Sequence, residues 1–299
     1  MTGQNSLGEY LRARRELVSP DSAGLPARGL RRVAGLRREE VAMLAGISAE
    51  YYLRLEQGRD RKPSRQVLQA LARVLDLDLA GTDYLLELAT APPASRRRAP
   101  RRETVPTSTR QLLDRIGLPA FVEGRYFDVL AANDLAQALS PNLRVGGNRL
   151  RAVFLDPAER ALYPDWEHVT ARLVAGFRSS VGTAVDDPRV VQLVGELSLS
   201  SERFRRLWAR QDVQTREGMR ERLHHPEVGD LTLNREKLAI NGTDGQLLVL
   251  YHAESGTSSG DKLALLASLS RPAAAARAHD QATDDRTGPR SDGPGGRRA

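Results

Sequence analysis

Arg54 and Glu50 stand four residues apart in the run SAEYYLRLEQG, 48–58, a spacing that places a guanidinium fork and a carboxylate on one helical face. Ala49 precedes them with almost no side chain, and Tyr51 and Leu53 complete the outward set at that end of the helix. These residue types suit the reading of base edges in a major groove. Arg54 can give two hydrogen bonds to guanine, Glu50 can accept one from cytosine, and Ala49 can lie against a thymine methyl. A blander reading stands beside this one, in which Glu50 and Arg54 only pair with each other. Cations able to meet phosphates flank the helix: Arg37 and Arg38 before it, Arg59, Arg61 and Lys62 after it. Arg28, Arg31 and Arg32 lie in the long loop 19–35, which reads as an arm along a phosphate backbone or as a solvated basic loop.

Local elements must hold those side chains in place. The segment LRREEVAMLAGISAEYYLRLEQG, 36–58, predicts two short helices around Gly46, a residue free to take positive φ, with Ser48 capping the second. Val41, Leu44, Ile47, Tyr52 and Leu55 would share the apolar wedge that fixes their crossing. This is helix-turn-helix spacing. Apolar residues at helical period over 7–18, 64–75 and 83–89 complete five helices, the fourth opened by Ser64 after Pro63.

Residues 36–79 resemble the Cro/repressor-type (XRE) DNA-binding domain, through the run LRREEVAMLAG, the LEQG ending with Glu56 and Gly58, and the Pro63-Ser64 helix start. The resemblance implies base contacts from Ala49, Glu50 and Arg54, to which the outward position of Tyr51 adds a fourth, phosphate contacts from Arg37 and Arg38, and a buried structural role for Glu56. It also implies a double-stranded DNA operator bound by a homodimer.

Length and composition bound the rest. The 299 residues suit two domains. Zero cysteines exclude disulfides and thiolate chemistry, and suit the cytoplasm. No run of apolar residues reads as a secretion signal or a membrane span. The net charge of +7 is uneven: 91–110 carries +5, whereas 111–270 carries −2. A Pro/Arg-rich linker at 91–109 therefore separates a helix-turn-helix domain, 1–90, from a second domain, 110–270. The Gly/Pro-rich tail 271–299 lacks the apolar residues for ordering and is expected to be disordered.

In the second domain, 120–131 suggests two short strands around Gly124. Helical spacing follows over 133–139, 148–155, 165–180, 187–197 and 201–209, and strand-like alternation begins at Leu231 and ends at 246–254. The pattern is α+β with an antiparallel sheet. Four runs, FDVLAANDLAQAL (127–139), FLDPAERALYPDW (154–166), 186–213 and HPEVGDLTLNREKL (225–238), resemble the ligand-binding domain of MmyB-like transcriptional regulators in order and spacing. The resemblance implies a PAS-like sensor with a mostly apolar pocket for a small, lipophilic or fatty-acid-like effector. Ala132 departs from the aromatic residue common at its position, which puts that edge of the pocket in doubt. Pocket candidates by residue type are Phe154, Tyr163, Trp166, Phe177 and Trp208, with Asn133, Arg210 and His225 as polar tips. Each aromatic has a core role as its alternative, and Arg210 could simply pair with Asp212.

His224 and His225 invite a metal, but adjacent strand residues face opposite ways, and no third ligand stands nearby; no metal is expected. Nucleophile-elbow, zincin, Rossmann and P-loop signatures are absent, so no catalytic residues are assigned. The expectation is a regulator rather than an enzyme. An antitoxin-like interaction module and an enzyme tethered to DNA are the alternatives.

Overall fold

The computed structural model describes residues 6–25, 33–60, 62–90, 103–213 and 219–270. Five helices form the N-terminal region: α1 (Ser6–Leu17), α2 (Arg38–Ala45), α3 (Ala49–Glu56), α4 (Arg65–Val74) and α5 (Leu79–Thr90). The sequence punctuates them as expected. Gly46 ends α2 at φ 69°, and the Ser48 hydroxyl accepts the Tyr51 N–H at 3.1 Å to open α3. Ser64 does the same for α4, accepting from Val67. Tyr10, Leu11, Leu36, Val41, Tyr52, Leu55, Leu71 and Leu85 fill the core. Leu44 is a correction: it is 38% exposed, because α2 buries the face carrying Val41 and Ala42 and leaves Leu44 on its rim. Gly35 returns the loop to α1 so closely that a Cβ there would lie 2.5 Å from the Glu16 carbonyl oxygen, which only glycine permits.

The C-terminal region begins earlier than the charge pattern suggested. Within 91–109, Val105 is buried and α6 (Thr107–Leu113) starts, so the chain is already packed there. Then come β1 (Ala120–Glu123), β2 (Val129–Ala132), α7 (Asp134–Leu139), α8 (Arg149–Leu155), α9 (Pro157–Ala161), α10 (Trp166–Val181), α11 (Pro188–Ser200) and α12 (Glu202–Ala209). The strands β3 (Met219–His225), β4 (Gly229–Ala239) and β5 (Leu247–His252) follow, and a last helix, α13, spans 258–270. The five strands pair antiparallel in the order β2-β1-β5-β4-β3. α6 covers one face of this sheet through Val105, Leu113, Val122 and Leu248. The other face packs on the helices through Phe121, Leu231, Leu233 and Val249. The tail 271–299 and the run 91–102 lie outside the described residues.

Candidate functional site

Helix α3 presents Ala49 and Glu50 to solvent, with Tyr51 and Arg54 half-buried beside them. Glu50 and Arg54 thus share one face a turn apart, Ala49 is exposed at the start of the helix, and Tyr51 lies against both Arg54 and the helical core. Arg54 donates to Glu50 at 3.1 Å and lies 5.5 Å from the centre of the Tyr51 ring, so the alternative pairing is present in the free protein. An exposed i,i+4 pair of this kind holds about 0.3–0.5 kcal/mol, whereas a bidentate arginine–guanine contact discriminates by about 1–3 kcal/mol. Magnitudes thus favour exchange of partner on a suitable base pair. Arg37, Arg59 and Lys62 are exposed around this face. Arg31, Arg32 and Arg61 lie outside the described residues, as does Arg28.

Arg38 has a second task. Its Nε donates to Glu56 Oε2 at 2.6 Å, while Arg15 Nε donates to Glu56 Oε1 at 2.7 Å and Arg15 also reaches the Leu36 carbonyl at 2.9 Å. Glu56 is fully buried. Burial alone would raise its pKa, but the hydrogen bonds from Arg15 and Arg38 prevail and hold it below the ordinary glutamate range. This triad ties α1 to both motif helices, so Arg38 is committed to the scaffold, and Arg37 is the clean phosphate candidate.

In the C-terminal region four of the five pocket aromatics fall into one chain of ring contacts. Trp166 meets Phe154 at 6.2 Å between centroids, Phe154 meets Phe204 at 5.2 Å, Phe204 stacks on Trp208 at 6.0 Å, and Trp208 approaches Phe177 at 5.8 Å. Phe177 then meets Phe127 at 5.5 Å. Phe127 and Phe204, unforeseen in sequence, thus belong to it. An open cleft of about 480 Å³ between α9 and α10 has Trp166 and Tyr163 in its wall. Arg160 caps the Trp166 ring at 4.3 Å.

The polar tips are placed elsewhere. Asn133 is fully used as the cap of α7: its Oδ1 accepts from Ala136 and Ala120, and its Nδ2 donates to the Ile116 and Leu118 carbonyls. His225 is buried, with Nε2 2.9 Å from the Ala138 carbonyl and Nδ1 accepting from Glu227 and Val228. Neither ring nitrogen faces the aromatic chain. Arg210 pairs with Asp212 at 2.8 Å, away from the cleft. His224 points to solvent and pairs with Asp230, opposite in direction to its neighbour as alternation requires. Among the described residues no group of three or more His, Cys, Asp or Glu gathers as a metal site.

A layer of buried charge lies between the sheet and the helices. Glu123 on β1 accepts from Arg149 at 3.0 Å and from Lys237 at 2.8 Å, all three nearly or fully buried. Glu221 on β3 pairs with Arg235 at 2.5 Å and, more loosely, Arg172 at 3.5 Å. Four cations therefore face two carboxylates. Burial opposes the charge on Glu123, yet Lys237 and Arg149 prevail and draw it down to about 2; burial prevails at Lys237 and draws it down to about 8. Tyr163, in the cleft wall, is buried with its hydroxyl donating to Glu159 at 3.4 Å; burial, Glu159 and Tyr251 raise its pKa, and Arg149 of the layer opposes them. In sequence the members are scattered single charges in strand and helix runs; only register brings them to one face.

A helix-turn-helix region carried with an α+β region defines a DNA-binding transcription regulator. Residues 6–85 match the model of a helix-turn-helix domain, and residues 105–266 match the MmyB-like transcription regulator ligand binding domain. The chain belongs to that MmyB-like family. No curated protein matches it. No helix among the described residues is long and apolar enough to cross a membrane.

Proposed function

We propose that the chain is a cytoplasmic homodimer that binds a specific operator through residues 1–90 and is controlled by a small molecule held by residues 110–270, rather than an enzyme. The observation that supports operator reading most directly is the accessible N-terminal end of α3, with Ala49 and Glu50 exposed and Tyr51 and Arg54 half-buried beside them, over a triad that fixes the helix. Phosphates are met by Arg37, Arg59 and Lys62, joined by Arg31, Arg32 and Arg61. The effector reading is supported by a cleft whose wall carries Tyr163 and Trp166, the first ring of the aromatic chain, with Arg160 over that ring; we infer that the cation-rich layer behind buried Tyr163 completes the site. Those surroundings suit a ligand with an apolar body and an acidic head, such as a fatty acid. Phe154, Tyr163, Trp166, Phe177 and Trp208 line its path, and no metal or resident cofactor takes part.

Arg54→Ala should reduce discrimination by about 1–3 kcal/mol at one base position. Arg37→Ala should instead weaken all sequences alike and reduce the salt slope by about one. Titration of both variants against matched and base-substituted duplexes separates the roles; indistinguishable behaviour would remove Arg54 from base reading. A dimer further requires two half-sites about 10 bp apart, or a multiple, in a footprint. One asymmetric site bound by a monomer contradicts that part.

A further inference from the structure

The helical and α+β regions meet at a seam that buries a cation, Arg178, without a direct ion pair among the described residues. Arg178, near the end of α10, is 2% exposed and forms no ion pair among the described residues. It is held from its own region: the guanidinium donates to the Trp208 carbonyl and to Gln211 Oε1, each at 2.6 Å, and lies 3.8 Å from the centre of the Trp208 ring. The Tyr84 hydroxyl of the helical region donates to the Gly182 carbonyl, four residues beyond Arg178, at 3.5 Å, and Tyr84, Tyr10 and Asp212 all favour the Arg178 charge without forming an ion pair with it. Both tyrosines belong to the helical core, packed edge to face at 5.2 Å. A second link crosses beside them, where Arg14 of α1 donates to Asp212 at 2.5 Å, and Val213 packs on the helical core.

Two helix ends meet at the seam: Asp76 and Gln211, at φ 49° and 59°, are the left-handed residues that follow the C-caps of α4 and α12. Asp76 lines a cleft of about 220 Å³ between the regions with Arg14 and Asp212. Trp208 also stands in the aromatic chain that starts at Trp166 in the wall of the effector cleft, three ring contacts along it. A ligand that displaces those rings must move the ring on which Arg178 rests.

We propose that this seam, with Arg178 on Trp208 against Tyr84 and with Arg14 on Asp212, is a latch that couples the effector cleft to operator affinity, and that the latched arrangement is the DNA-competent one. The seam uses α1, α5 and the end of α4, and Ala49 and Glu50 stay exposed, so latching does not cover the recognition face. It instead fixes how that face is held relative to the region that takes the effector. A ligand regulates through this device only by binding the latched and released states unequally. The inference rests on the regulator reading above.

The test uses the full chain labelled with 5-fluorotryptophan, whose two tryptophans give two fluorine resonances, assigned with Trp208→Phe. Tyr84→Phe combined with Arg14→Ala opens the seam from the helical side, and Arg178→Met opens it from the other. Each should shift the Trp208 resonance, shift that of Trp166 in the cleft wall by a smaller amount through the intervening rings, and weaken binding to the DNA upstream of the chain's own gene by roughly fivefold or more. Thermal unfolding verifies that both variants are folded, and the helical-side pair decides alone if Arg178→Met is not. Operator affinity that is unchanged or tighter while Trp208 shifts overturns the latch. A Trp208 resonance unmoved by the helical-side pair overturns it as well. Wild-type protein that does not prefer its upstream DNA overturns the regulator reading instead, and the latch with it.

Discussion

Glu56→Ala should destabilise the helical region by about 3–5 kcal/mol and abolish DNA binding, although Glu56 lies on no DNA-facing surface. The substitution leaves Arg15 buried beside an empty position and removes the partner of Arg38, cutting the link between α1 and the motif helices. A loss of that size is a large fraction of the 5–15 kcal/mol that holds an ordinary domain. Urea unfolding of wild type and variant measures it; a coincident midpoint would contradict the role given to the triad. Arg38→Ala should cost less, because Arg15 still neutralises Glu56. The pH dependence has a definite sign. The Glu56 pKa is lowered on folding, so its contribution is complete above the unfolded value of about 4.5 and is lost as pH falls through the folded value. Acid should therefore unfold the helical region sooner in wild type, relative to its neutral stability, than in Glu56→Ala.

Glu123→Ala should produce a loss of similar size, about 3–5 kcal/mol, in the α+β region, because it strands both Arg149 and Lys237 in the core. Here too the folded pKa, about 2, lies below the unfolded one, so the stabilisation is present above about pH 4.5 and disappears between there and about pH 2. Replacing Glu123, Arg149 and Lys237 together with Leu, Leu and Met should recover much of the stability, since no unpaired charge remains. The triple variant should nevertheless fail to respond to an acidic effector. Calorimetry of single and triple variants, with a fatty acid as probe, separates the two effects. A triple variant no more stable than Glu123→Ala would contradict the account of the network, and one that still binds the acid would remove the layer from ligand recognition.

The helical region was legible because its determinants are local. Ser48, Ser64 and Gly46 punctuate α2, α3 and α4 through hydrogen bonds and dihedrals that a few adjacent residues decide. The burial of Glu56 followed from resemblance alone, and its partners Arg15 and Arg38 did not, since both look like surface arginines until α1 packs across them. In the α+β region the periodicity placed β1, β2, β4, β5 and most helices. It missed β3, the last helix α13, α6, which is short and starts inside a stretch dominated by Pro and Arg, and α9, a single turn. Asn133 reads as a polar tip in sequence because a cap and a ligand donor look alike there; in the fold it caps α7 and makes four hydrogen bonds to backbone. The charged layer stayed invisible because Glu123, Arg149, Glu221, Arg235 and Lys237 come from four separate elements, and their meeting depends on strand register.

The most direct test of the central claim is binding of the purified chain to the DNA upstream of its own gene against an equal-length scrambled duplex across a salt series. Specific binding should persist at physiological salt while scrambled binding collapses, since base contacts do not release counterions and phosphate contacts do. Equal affinities that fall together with salt would contradict operator recognition and leave only nonspecific attraction by the arginines.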